Sequence, residues 1–252
     1  MKGLPDFMII GASRCGTTSL HMYLGEHPKT IPPALGKELT YFNLLYEESP
    51  IHWYVKCWPP HEDGLLRYEG STDYLFHPAV PERVKFWMPD CKFIVMMRDP
   101  VKRAWSEFYN YWMKQFGTTI VEFAELPGKV TLATREAMRS PYSRRSPYRI
   151  IQKGMYAKSL KRWFRYFPKE QFLLIRSEDF FSNPWETVNQ CFNFVGLERI
   201  EIPSLRVYDM LRDPGIPCPE MPEKLRTAYT DYYRPLNREL YELLDWDLGW
   251  PK

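Results

Sequence analysis

Between Gly11 and Thr18 the chain reads Gly-Ala-Ser-Arg-Cys-Gly-Thr-Thr: two glycines five residues apart, then two hydroxyl side chains. This is the frame of a phosphate-binding loop, G-x-x-x-x-G-K-[ST], with Thr17 standing where the lysine belongs. The glycines permit a tight turn in which successive N–H groups face one anion. A helix starting at the second glycine adds about half a positive charge. Loss of the lysine argues against ordinary ATP or GTP chemistry, the property of a small-molecule kinase. Arg14, inside the loop, offers a replacement cation. The plainer alternative is a glycine-bounded turn that binds nothing.

Further groups could do chemistry. Glu38, next to Lys37, is a carboxylate that could serve as a general base, a role typically worth ~10²–10⁴-fold. Its ordinary reading is a helix-start glutamate paired with Lys37. His52 and His77 are fallback bases. Arg98 and Ser106 follow an apolar run, where an arginine can form a bidentate pair with phosphate and a serine can add a hydroxyl; their ordinary reading is an Arg98–Asp99 surface pair and a helix serine. Asp73 and Tyr74 are expected to line a cleft after a strand. Arg139, Arg144, Arg145 and Arg149 are interleaved with Ser, Pro and Tyr, and suit either an anionic acceptor or a solvated loop.

The elements that must position these groups are legible from periodicity. Phe7–Ile10, closed by Gly11, reads as a buried parallel strand. Thr17–Gly25 reads as a helix, 27–37 as a proline-rich loop, and Lys37–Tyr46 and Ile51–Trp58 as helices. Leu66–Gly70 and Lys92–Met97 are strands around a helix at Val80–Trp87. Arg98-Asp99-Pro100 leads into a helix over Val101–Gln115. Met155–Phe167 is a helix, Gln171–Ile175 a strand, and Trp185–Val195 and Glu220–Leu244 are the last helices. Residues 116–150 carry no clear pattern. Strands alternating with helices predict an α/β, P-loop-like three-layer fold, with a central parallel sheet flanked by helices and right-handed crossovers. The length of 252 residues suits one domain spanning 1–252.

Composition narrows the class. The chain is 44% hydrophobic and 26% charged, which excludes an integral membrane protein and a disordered one. No apolar stretch approaches the ~20 residues of a membrane span. A net charge of +3 is too mild for a duplex-binding protein, so no nucleic-acid partner is expected. Five scattered cysteines with no C-x-x-C pair give no zinc ribbon or thioredoxin-like site. No metal cluster is evident.

The segment IIGASRCGTTSL, residues 9–20, resembles the 5′-phosphosulfate loop of sulfotransferases that use 3′-phosphoadenosine 5′-phosphosulfate (PAPS), above all their heparan-sulfate and related carbohydrate branch. Other segments follow in order. Lys37-Glu38 with Tyr41-Phe42 is similar to the KE-x-x-FF element that bears that family's catalytic glutamate. Ile51, Trp53 and Tyr54 resemble an I-x-W-Y element. Arg98 through Ser106 resembles the element whose arginine and serine hold the nucleotide's 3′-phosphate, and Gly154, Tyr156, Leu160 and Trp163 resemble a G-x-Y-x-x-x-L-x-x-W helix.

The resemblance implies in-line transfer of a sulfuryl group from PAPS, releasing PAP without a metal, to a hydroxyl on a small molecule or glycan. It implies Glu38 and Arg14 as catalytic residues. Nucleotide contacts would come from Arg14, Cys15, Gly16, Thr17, Thr18, Ser19, Arg98, Ser106 and Tyr156. Lys37, Asp73, Tyr74, His77, Arg144 and Arg145 are expected on the acceptor side. Location is expected to be cytoplasmic if Met1 is the natural start, or the Golgi lumen if the chain is an excised catalytic domain. Two departures stand out. The family typically has lysine where Arg14 stands, and its Lys-Gly-Arg loop before the last helix is absent, leaving Arg212 or Lys224 as substitutes.

Overall fold

The structure, a computed structural model, describes residues 3–60, 63–128, 148–201 and 218–252. Strands are β1 (Phe7–Gly11), β2 (Thr30–Ile31), β3 (Leu66–Gly70), β4 (Lys92–Met97) and β5 (Phe172–Arg176). Helices are α1 (Thr17–Leu24), α2 (Ile51–Val55), α3 (Val80–Trp87), α4 (Pro100–Glu107), α5 (Met113–Phe116), α6 (residues 120–128), α7 (Tyr148–Gln152), α8 (Tyr156–Trp163), α9 (Ser177–Ser182), α10 (Pro184–Val195) and α11 (Glu223–Leu244). The chain divides into two compact units, one of residues 1–97 and 162–209, the other of 98–161 and 210–252.

The first unit holds the sheet. Its order is β2-β3-β1-β4-β5, and every neighbouring pair is parallel. The central parallel sheet flanked by helices is as the alternating pattern predicted. Phe7–Ile10 and Phe93–Met97 are fully buried, which is why both read as unbroken apolar runs: a parallel sheet covered on both faces has no solvent side to alternate with. Trp163 packs on Phe93 with ring centroids 4.9 Å apart, and its indole N–H donates to the Leu75 carbonyl at 3.2 Å. Helix α10 has its boundaries written in sequence. Asn183 accepts from Glu186 N at 3.2 Å, Pro184 opens the first turn, and Gly196 closes it at φ +88°.

The second unit is helical. Asp99 caps α4 by accepting from Val101 N at 2.9 Å, ahead of Pro100. Val101, Ala104, Trp105 and Phe108 pack with Phe123, Ile150, Ile151, Tyr229 and Tyr233. Within this apolar cluster lies a buried charge group. Arg103 pairs with Glu107 one turn on and donates to the Ile150 carbonyl, and Lys153 reaches Glu107 at 3.0 Å.

Two expectations need correction. Lys37–Tyr46 is not one helix. Residues 37–40 are non-helical, with Glu38 at φ +68° and Thr40 at φ +55°, and only Tyr41–Leu45 forms a helical turn, of π type. The cause is tertiary: Glu38 N donates to Gly70 O at 3.0 Å and Thr40 N to Ser71 Oγ at 3.0 Å, bonds unavailable to a local helix. The helix expected over Val101–Gln115 is α4 and α5 joined through a π-type turn at Phe108–Trp112.

Candidate active site

In a parallel sheet, ligands gather beyond the carboxyl ends of strands where the order reverses. Here β1 lies between β3 and β4, and the loops leaving β1 and β3 run side by side. Ser71 N donates to Ile9 O at 3.1 Å, Leu75 N to Ile10 O at 2.8 Å, and Ala12 N to Met96 O at 2.7 Å. Gly11 is required by this closeness: a Cβ there would stand 2.7 Å from Leu75 Cβ and 3.0 Å from the Thr72 carbonyl.

The loop after β1 is shaped as an anion cradle. Arg14 at φ +69° and Gly16 at φ +89° both take the left-handed conformation; for arginine this is a strained state of the kind held at ligand loops. α1 starts at Thr17 with no acidic residue in its first turn, leaving its positive end unopposed. Thr17, Ser19 and Cys15 are buried, whereas Arg14, Gly16 and Thr18 are half-buried. The Cys15 carbonyl is held by Ser177 Oγ at 2.8 Å. Ser13 Oγ is buried and makes no hydrogen bond among the described residues. The donor set is therefore backbone N–H groups, hydroxyls and cations, which suits a phosphate or sulfate group.

Lys37 reaches this cradle from the next loop. Its Nζ lies 3.2 Å from Thr17 Oγ1 and 2.7 Å from Glu38 Oε1. The Glu38 carboxylate also accepts from Thr72 N and Thr72 Oγ1, both at 3.0 Å. Its side chain remains 38% exposed while that of Lys37 is 13% exposed, so the carboxylate is open on one side and the ammonium is enclosed. One cation thus touches both the phosphate loop and the candidate base.

His21, on α1 beneath Lys37, is buried and packs against Tyr68, ring centroids 4.9 Å apart. Burial, followed by the Lys37 charge, pushes its imidazole down to about 4, so the ring is neutral near pH 7.

Other predicted residues take different places. Tyr74 is fully buried and lines no cleft; its hydroxyl accepts from Phe42 N at 3.2 Å. His77 is buried too, and its Nδ1 accepts from Ala79 N at 3.2 Å. Asp73 is half-buried in the β3–α3 loop, and His52 is exposed on α2. In the second unit Arg98 and Ser106 are half-buried, either side of the Asp99 cap. Tyr156 is buried, and its hydroxyl both donates to Arg98 O at 2.9 Å and accepts from Arg98 N at 3.3 Å. It therefore fixes the backbone that carries Arg98. Arg139, Arg144, Arg145 and Arg212 lie outside the described residues; Lys224 is exposed on α11.

Sequence reasoning placed Lys37 on the acceptor side and omitted Ser13 and Thr72. Ser13 sat inside the recognised loop frame. Thr72 gave no signal, since its role depends on the loop after β3 meeting the Glu38 carboxylate.

Residues 4–210 match the family described as the sulfotransferase domain. The chain belongs to this family. Curated relatives include heparan sulfate glucosamine 3-O-sulfotransferase 6 of Homo sapiens, 30% identical over 99% of this chain and 74% of that protein. Another is bifunctional heparan sulfate N-deacetylase/N-sulfotransferase 1 of Caenorhabditis elegans, 25% identical over 96% of this chain and 30% of that one. A solved sulfotransferase from Alicyclobacillus acidocaldarius superposes with a TM-score of 0.76 at 27% identity, covering 97% of both chains. The sulfotransferase is thus an enzyme whose relatives lie in the heparan sulfate branch, as the motif order implied. Among the described residues no helix is long and apolar enough to cross a membrane, and no cluster of His, Cys, Asp and Glu is placed to hold a metal ion.

Proposed function

We propose that this sulfotransferase moves a sulfuryl group from PAPS to a hydroxyl of a heparan sulfate-type carbohydrate, with Glu38 as general base and the whole chain acting as one sulfotransferase domain. The observation that carries the reading is the Lys37 bridge, 3.2 Å to Thr17 and 2.7 Å to Glu38, which sets a base beside a phosphate cradle. The heparan sulfate acceptor rests on the printed names of the relatives.

PAPS supplies the sulfuryl group and a 5′-phosphate leaving group. The loop N–H groups with Arg14, Thr17, Thr18 and Ser19 hold the 5′ end. Arg98 and Ser106 hold the 3′-phosphate, with Tyr156 steadying the Arg98 backbone. An alcohol is a weak nucleophile until its proton is removed as the new bond forms. Glu38 takes that proton at its exposed oxygen face, and Thr72 keeps the carboxylate oriented. Negative charge grows on the phosphate side as the old bond breaks. Lys37 and Arg14 balance it as fixed charges, needing no reorganisation at the moment of reaction. Arginine does not deprotonate, so Arg14 acts there as a fixed charge and not as a proton donor.

The test is transfer of labelled sulfate from PAPS to heparan sulfate, alongside PAP binding measured by thermal unfolding without divalent metal. Glu38→Gln is expected to lower kcat by at least about 10² while the PAP-induced shift in Tm persists. Normal transfer by Glu38→Gln would remove the base assignment. Stabilisation by Mg-ATP but not by PAP would overturn the donor assignment.

A further inference from the structure

The geometry points to Glu69 as a positioning residue: its buried carboxylate aims the hydroxyl of Ser71 at the backbone of the loop that carries Glu38, and so helps hold that loop in a conformation it would not keep alone. The inference rests on the reading of Glu38 as the base.

Glu69 lies on β3 and is completely buried. Two hydroxyls converge on it. Tyr54 donates to Oε2 and Ser71 donates to Oε1. A hydroxyl has one proton to give and lone pairs to receive with. Once Ser71 spends its proton on the carboxylate, only lone pairs face outward. They meet an N–H group: Thr40 N donates to Ser71 Oγ at 3.0 Å. Beside it, Phe42 N donates to Tyr74 Oη at 3.2 Å. Together with Glu38 N on Gly70 O at 3.0 Å, alternate amides 38, 40 and 42 are tied to the rail formed by 70, 71 and 74. The tied backbone is strained, since Glu38 and Thr40 are both non-glycine residues at positive φ. Such conformations persist only where the surroundings over-determine them. The last link is the carboxylate itself, fixed on Thr72 one residue beyond Ser71.

An ionised carboxylate accepts at both ends and donates at neither; burial pushes the Glu69 carboxyl up to about 7, so it takes this form above that pH. An amide in its place presents N–H either to Tyr54 or to Ser71. Facing Ser71, it makes that hydroxyl turn its proton toward the Thr40 N–H it formerly received. Repulsion between two donors then releases Thr40, and Glu38 loses its aim without losing its carboxylate.

The experiment compares the intact chain with Glu69→Gln and Ser71→Ala in two readouts. Above pH 7, residue-resolved amide hydrogen exchange should show Thr40 at least about tenfold faster in Ser71→Ala and in Glu69→Gln, with the amides of β1 unchanged; this readout needs no acceptor. Transfer from PAPS to heparan sulfate should show kcat lower by at least about tenfold with the PAP Kd within about twofold of the parent. Adding Ser71→Ala to Glu38→Gln should lower kcat no further, because Ser71 acts through Glu38. Unchanged exchange at Thr40 in both variants overturns the inference, and so does a Ser71→Ala effect that multiplies with Glu38→Gln. Should Glu69→Gln fail to fold, Ser71→Ala carries the test by itself. Full activity in Glu38→Gln refutes the base instead, and leaves the exchange result to judge the clamp separately.

Discussion

The Lys37 ammonium lies 3.2 Å from the hydroxyl of Thr17, the residue that stands where a nucleotide-binding P-loop carries its own lysine. The positive charge missing from the loop is therefore delivered by a side chain twenty residues downstream. The same ammonium holds Glu38 at 2.7 Å, so one cation touches both the loop after β1 and the candidate base.

Lys37→Met should consequently cost more in rate than in binding. Removing one preorganised donor from a site of developing charge typically lowers kcat by about 10²–10³. PAP affinity should fall far less, because the loop N–H groups and Arg14 remain. Steady-state transfer kinetics with PAP titration measures both. A kcat equal to that of the parent would take Lys37 out of the chemistry.

His21 reports on the same charge. Its imidazole sits at about 4 in the folded protein, against 6.5 unfolded. The unfolded chain thus binds a proton first as pH drops. Stability is full above pH 6.5 and falls as pH descends toward 4, by about 3 kcal/mol from this group. An NMR titration of the His21 ring should give a midpoint near 4, moved upward in Lys37→Met. A midpoint near 6.5 would contradict its burial beneath the lysine.

Arg98 is assigned to the nucleotide's 3′-phosphate. A charge-assisted hydrogen bond is worth about 1.5–3 kcal/mol, or roughly 10–100-fold in affinity. Arg98→Ala should weaken PAP by that factor and leave AMP, which has no 3′-phosphate, unchanged in calorimetry. Equal losses for both nucleotides would place Arg98 elsewhere on the ligand.

Glu107 tests the second unit. It lies buried between Arg103 and Lys153; burial alone would raise its carboxyl, but the two cations outweigh it and hold it low. Glu107→Ala leaves a fully buried guanidinium without its counter-charge, a change that typically costs about 3–5 kcal/mol. Urea unfolding measures it. A loss below about 1 kcal/mol would mean that Arg103 finds another acceptor.

Much of this was readable from the chain because each signal was local. β1 and β4 announced themselves as unbroken apolar runs, and α4 through Asp99-Pro100. The Gly11–Thr18 frame fixed the cradle. β2 was hidden, being only two residues, Thr30–Ile31, inside a proline-rich stretch. The Glu38 loop was misread as helix because Lys-Glu-Leu-Thr has no sequence mark for positive φ; its shape comes from partners at Gly70, Ser71 and Thr72, over thirty residues away. Glu69 was invisible for a related reason. A lone glutamate in a strand looks solvent-facing until Tyr54 and Tyr74 close over it.

The attachment of the Glu38 segment to the far end of β3 carries a design consequence. The candidate base is thereby anchored to the scaffold. A graft of this segment onto another protein would have to carry Gly70, Ser71 and Thr72 along with residues 38–42, or the Glu38 carboxylate would lose its anchors.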